Sequence, residues 1–294
     1  MTDAIRTPDV LLDGLPQFPW QPRYRQVDGL RLAHVDEGDG APVVFWHGEP
    51  TWGFLWRKVA PAVIDAGYRA ILPDLPGFGR SDKPIDAGWY SYDRMTAAAA
   101  RLVEDLDLHG ATFVVHDWGG PIGLRVAVEL ARRVDRLVLM DTGLFTGDQP
   151  MSDNWHRFAD FVARVEELPV GLLVRRACHT DSGDEVAAAY DAPFPSEAAK
   201  AGARAFPAIL PTHHDAPGAE AGRRTLAALR EDTRRVLMLW GEHDPVLPVR
   251  AGEGLASALG RPAPRLIPDA GHFLQEDQGE LVGELIAAWL RASG

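Results

Sequence analysis

The stretch VVHDWGG, Val114 to Gly120, runs an apolar strand straight into the small residues that open a helix, with Asp117 at the turn. That strand-turn-helix context holds a nucleophile at the carboxyl end of a central strand, here with Asp in the place of Ser. Outward from it the pattern alternates. Upstream lie PVVFWHG (Pro42 to Gly48), FLWRKVAPAVIDAG with helical spacing stopped by Gly67, the strand RAILPD and a helix from Tyr92 to Leu106. Downstream GGPIGLRVAVELARR reads as a helix and RLVLMD as a strand. A β-α-β-α series implies right-handed crossovers onto a mostly parallel sheet, so the fold class is α/β. Before it, RQV-DG-LRLAHV predicts an antiparallel hairpin turning at Asp28-Gly29.

The pattern changes from about Gly143 to Gly218. WHRFADFVARVEEL and DEVAAAYDA are helical there, punctuated by Pro150, Pro169, Pro193 and Pro195. Strands resume at RRVLMLWGEHD and PRLIPDAGH, and ELVGELIAAWLRA closes the chain as an amphipathic helix. The expected organisation is a core of residues 1–142 and 219–294 interrupted by a helical cap, 143–218. With 294 residues, 46% of them hydrophobic and 24% charged, the chain can bury a sizeable core. A net charge of −12 repels nucleic-acid phosphates and anionic lipid, which excludes both as partners and favours a small uncharged ligand. Cys178 is the single cysteine, so no internal disulfide forms and a reducing, cytoplasmic setting is expected. No apolar signal core and no membrane-length apolar run stand in the sequence. A monomer or weak dimer is expected.

Asp117 has two readings, the N-cap of the helix that follows it and a nucleophile. A carboxylate is ionised at neutral pH and attacks without a base. On an acyl carbon it gives only an exchange-prone anhydride. On a saturated carbon bearing a leaving group it gives an alkyl ester, stable until water is activated against its carbonyl. His272 in DAGHF and Asp244 in WGEHDPVLP, each directly after a predicted strand, complete the chain order nucleophile, acid, histidine. Parallel strands end on one side of a sheet, so the three side chains can converge, His272 deprotonating water and Asp244 holding its imidazole. HGEPTW, His47 to Trp52, adds the Glu49 backbone N–H, which with that of Trp118 would make an oxyanion hole. The Glu49 carboxylate is a candidate for holding a water. GFG in DLPGFGRSDKP lacks dinucleotide spacing and reads as structural. The adjacent histidines of THHD, residues 212–215, do not share a helix face; no metal site and no cofactor are expected. Cys178 reads as a small, half-buried hydrophobe.

HGEPTW, DLPGFGRSDKP, HDWGG, WGEHDPV and GHFLQED together resemble the α/β-hydrolase superfamily, most closely the haloalkane dehalogenases, over nearly the whole chain. The resemblance implies displacement of halide by Asp117 and hydrolysis of the ester through His272 and Asp244. It also implies that Trp118 and Trp155 donate indole N–H groups to the departing halide. HGEP is similar to the subfamily whose second donor comes from the cap, and Trp155 is the one Trp between residues 143 and 218. ARAFP suggests Phe206 and Pro207 as pocket lining. Asp141, in VLMDTG, lies where another subfamily carries its acid; Asp244 has the fuller motif. The expected partners are therefore a small haloalkane, water and halide ion. The alternative is an epoxide hydrolase, which usually needs two cap tyrosines, and the cap segment holds only Tyr190.

Overall fold

The structure is a computed structural model that describes residues 2–151 and 153–292, leaving out the Asn154 side chain. In chain order its strands are β1 (Ala4–Ile5), β2 (Arg23–Val27), β3 (Leu30–Glu37), β4 (Pro42–Trp46), β5 (Arg69–Pro73), β6 (Lys83–Pro84), β7 (Ala111–Asp117), β8 (Val134–Thr142), β9 (Arg235–Gly241) and β10 (Arg265–Ile267). Eight of them form one sheet in the order β10-β9-β8-β7-β4-β5-β3-β2. The run from β10 to β5 is parallel; β3 pairs antiparallel with both β5 and β2. The Asp28-Gly29 turn lies in that antiparallel hairpin, both residues at positive φ, 48° and 83°. β7 is central, with Val114 paired to Phe45 on one side and Val138 on the other. Covered by strands and helices alike, Ala111 to His116 are all buried, which is why the run is continuously apolar up to the site.

The helices are α1 (Ala60–Asp65), α2 (Tyr92–Asp105), α3 (Gly119–Glu129), α4 (Asp153–Arg164), α5 (Val170–Ala177), α6 (Asp184–Asp191), α7 (Ala201–Ile209), α8 (Ala219–Arg230), α9 (Val249–Ala258), α10 (Leu274–Asp277) and α11 (Gly279–Arg291). Among those flanking the sheet, α3 packs on α2 and α8, and α1 on α11. The helix expected across Phe54 to Gly67 is instead a 3-10 turn, Gly53–Trp56, followed by α1. Pro61 explains the break: it lacks an N–H and is accepted only in a helix's first turn, so the helix restarts there. Among the described residues the chain between β8 and β9 forms helices and no strand, and no helix is long and apolar enough to cross a membrane.

A buried ion pair joins this helical segment to the sheet's surroundings. Arg57 donates through both Nη atoms to Glu276, at 2.5 and 2.8 Å, and the Tyr190 hydroxyl of α6 donates to the same carboxylate. The Arg57 and Glu276 side chains are 0% and 1% exposed, so neither charge has water to fall back on. Removing one partner from such a pair typically costs about 3–5 kcal/mol. Arg57→Ala is expected to lower stability by about that amount in urea unfolding at unchanged slope; a loss under about 1 kcal/mol would show that the pair is not desolvated.

Candidate active site

Asp117 ends β7 at φ 48°, a left-handed conformation uncommon for a residue with a side chain, and the β7–β8 register slips between His116 and Asp117. The N-cap position of α3 belongs to Trp118, with no side-chain cap, so Asp117 does not serve as a helix cap. Space forces the glycines after it. A Cβ on Gly119 would lie 2.1 Å from the Trp46 carbonyl oxygen, and one on Gly120 would lie 1.7 Å from Thr142 Oγ1. The Thr142 hydroxyl donates to the Asp117 carbonyl at 2.6 Å and fixes the turn from β8.

The two oxygens of the Asp117 carboxylate have different neighbours. Oδ1 accepts the Glu49 backbone N–H at 2.8 Å, and the Trp118 backbone N–H also bonds the carboxylate. Oδ2 lies 3.5 Å from His272 Nε2. Burial opposes the charged form of Asp117, yet the hydrogen bond and charge of His272 outweigh it and hold the carboxyl below its usual range. His47 secures the Glu49 loop, its Nδ1–H donating to the Gly48 carbonyl at 2.9 Å and its Nε2 accepting the Leu75 N–H at 2.9 Å. Burial lowers its pKa to about 4, so the ring is neutral, as an acceptor nitrogen requires. DLPGFG is thus structural: its Leu75 braces His47. The Glu49 side chain, the candidate for holding a water, is buried beside Asp117. Burial first, and then the charge of Asp117, push its pKa well above the ordinary range, leaving a neutral carboxyl.

His272 follows β10 and donates from Nδ1 to Asp244 Oδ2 at 2.8 Å. Burial disfavours the imidazolium, but Asp244 on one nitrogen and Asp117 on the other raise the pKa well above that of free histidine. Asp244 Oδ1 accepts the N–H groups of Val246 and Leu247 at 2.6 and 2.9 Å, so both its oxygens are committed. Asp141 is fully buried behind it. Burial and the charge of Asp244 push its pKa well up; it is a neutral acid hydrogen-bonded to Asp244, and it accepts the Gly241 N–H at 3.0 Å. His116 Nε2–H donates to the His272 carbonyl at 2.8 Å, the ring held neutral by burial with a pKa of about 3. His116, His47 and Thr142 went unnoticed in the sequence reading. His116 sits inside VVHDWGG, where alternation turns it away from Asp117, the one cue available.

Aromatic rings pack around Trp118, the residue after Asp117. Phe206 of α7 meets Trp118 edge-on at 5.0 Å and Phe78 at 5.2 Å. Pro207, also buried, lies about 100° further round the same helix. Trp155 is half-buried on α4, which packs against α7, and its ring meets His156 at 5.1 Å. The hydroxyls of Tyr90, Tyr92 and Tyr190 are spent on Pro84, Pro121 and Glu276. Tyr190, the one tyrosine between residues 143 and 218, is therefore turned to a buried ion pair and away from the role an epoxide would need. Cys178 is half-buried, its thiol donating to Val174 and pushed up in pKa by burial.

A strained Asp between two main-chain donors and a histidine-carboxylate pair, on a parallel sheet, defines an α/β hydrolase; the sequence model of the alpha/beta hydrolase fold matches residues 41–278. Curated relatives narrow the class. A haloalkane dehalogenase of Mycobacterium marinum is 39% identical, covering 98% of this chain and 99% of its own, and one of Psychrobacter cryohalolentis is 37% identical, covering 97% of each. A tetrameric haloalkane dehalogenase from Paraglaciecola agarilytica superposes with a TM-score of 0.91 at 36% identity, covering 96% of this chain and 97% of its own. The chain belongs to the haloalkane dehalogenase family.

The hydrogen-bond order gives a ranking of the two acids. Asp244→Asn, which no longer stabilises the imidazolium, is expected to lower kcat on a bromoalkane by about 100-fold or more. Asp141→Asn removes a group one hydrogen bond further out and is expected to cost roughly tenfold. The reverse ranking in steady-state kinetics would make Asp141 the acid.

Proposed function

We propose that the protein hydrolyses haloalkanes to alcohol, halide and a proton through an alkyl ester on Asp117. The carrying observation is the unequal environment of its two oxygens: with Oδ1 held by the Glu49 N–H, Oδ2 is the oxygen left to attack carbon. Displacement moves the negative charge from Asp117 to the halide, so the dry pocket needs donors where the halide forms. The indole N–H groups of Trp118 and, from α4, Trp155 fill that role; a full positive charge would hold the ion too tightly for release. The neutral Glu49 carboxyl spares the halide a second anion nearby.

Esterification then changes His272. With Asp117 neutral, one of the two anions that raise the imidazole pKa is gone, so the ring gives up its proton and becomes the base for water. Asp244 steadies the imidazolium that returns. As water attacks the ester carbonyl, negative charge gathers on Oδ1, where the Glu49 N–H already stands, with the Trp118 N–H on the same carboxylate. The scheme is written for one copy of the chain, acting as a monomer or weak dimer and without a cofactor. Residues 143–218 serve as the cap, Phe206 and Pro207 lining the pocket, and the single cysteine supports a cytoplasmic setting.

The test is halide release from a panel of chloro-, bromo- and iodoalkanes beside an epoxide, for the wild type and Trp155→Phe. Bromoalkane turnover is expected to exceed epoxide turnover. Losing a buried donor to a charged group costs about 1.5–3 kcal/mol, so kcat/KM should fall roughly 10- to 150-fold in Trp155→Phe. Faster epoxide turnover would sink the reading, and unchanged kinetics in the variant would remove Trp155 from it.

A further inference from the structure

The loops that deliver the acid and the base carry two side chains that the proposed reaction does not use, and a third stands beside them. His243 directly precedes Asp244, Asp269 stands three residues before His272, and His179 follows α5 in the helical segment. All three are exposed, and one ligand atom from each lies within 4.8 Å of the others. The two imidazoles stack at 4.2 Å between centroids and 17° between planes, and His179 Nε2 is 3.9 Å from Asp269 Oδ1. In the sequence these residues are spread over 91 positions, with no local spacing to mark them, unlike the adjacent pair His213 and His214.

The backbones beneath them are fixed. The Asp277 carboxylate accepts the N–H groups of His179, Thr180 and Gly271, each at 2.8 Å, and so clamps the His179 loop to the loop of Asp269. The His243 N–H donates to the Ala270 carbonyl, and the His272 N–H to that of Ala177, both at 2.8 Å. Three ligand-bearing residues are thus held at set positions while their side chains stay free to turn in solvent.

We propose that His179, His243 and Asp269 bind one divalent transition-metal ion, zinc above all, across the seam between the helical segment and the two triad-bearing loops. Two imidazoles and one carboxylate suit zinc, nickel or copper, whereas magnesium and calcium prefer oxygen alone. Bonds of about 2.0–2.2 Å in tetrahedral geometry set ligand atoms roughly 3.4 Å apart, a contraction that χ rotation of exposed side chains supplies. Water completes the coordination. The ion binds the folded chain and clasps the His179 loop to those of Asp244 and His272.

Calorimetric titration of the metal-free full-length chain with zinc chloride tests this. One zinc ion per chain at micromolar Kd is expected, with no displacement by magnesium. His179→Ala and His243→Ala should each weaken it at least tenfold. Asp269→Asn should weaken it too, and it preserves the fold because Asn tolerates the φ of 50° found there. His214→Ala, at the separate His214–Asp148 pair, should leave it unchanged. At zinc about tenfold above Kd, Tm should rise by about 3 °C in the wild type and not in the three site variants. Zinc uptake that survives all three substitutions, or that falls equally in His214→Ala, would overturn the site.

Discussion

A hydrogen bond of 2.8 Å from the Glu49 N–H to Oδ1 makes the two oxygens of the Asp117 carboxylate chemically different. Much of the molecule serves that asymmetry. β7 must end at the level where β4 releases the Glu49 loop, which their parallel pairing arranges, Phe45 beside Val114 and Trp46 beside Val115. The chain must then turn through a left-handed residue, at a typical strain of about 1–3 kcal/mol. That strain is tolerated because the Thr142 hydroxyl and the close contacts of Gly119 and Gly120 over-determine the turn. His47 and Leu75 fix the donor side in the same way.

Electrostatics complete what geometry begins. Four carboxyl groups, those of Glu49, Asp117, Asp141 and Asp244, lie at or behind one buried imidazole, and burial alone would neutralise them all. The outcome alternates: Asp117 and Asp244 stay ionised because they flank His272, while burial first and a neighbouring carboxylate second push Glu49 and Asp141 toward the neutral form, against the weaker pull of the His272 charge. In the proposed reaction this balance is what changes. Alkylation removes the charge of Asp117, and the same imidazole that was held protonated turns into a base only when an ester is present for it to serve.

The sheet was legible because strands buried on both faces read as unbroken apolar runs, PVVFW, RAILP and ATFVV, each stopped by the residue that does chemistry or turns the chain. Motif and chain order singled out Asp117, Asp244 and His272 for the same reason: each sits at a strand's carboxyl end, a position visible in one dimension. Contacts between distant segments were not visible. His116 reaching the His272 carbonyl, Tyr190 reaching Glu276, and the His179, His243 and Asp269 cluster join residues 86 to 156 positions or dozens of positions apart, with no local spacing to betray them. The protonation of Glu49 was hidden too, because burial and a neighbour's charge decide it, and a lone Glu in a loop reads as ionised.

Isotope partition in a single turnover tests the ester most directly. With enzyme in excess over a bromoalkane in oxygen-18 water, water attacking the ester carbonyl leaves the heavy oxygen in Asp117, and the alcohol carries away the light oxygen that attacked carbon. Peptide mass spectrometry should find the label on Asp117 and the first alcohol should be unlabelled. Label in the alcohol with none in Asp117 would mean that water displaces halide directly, and would leave Asp117 as a general base in place of the nucleophile.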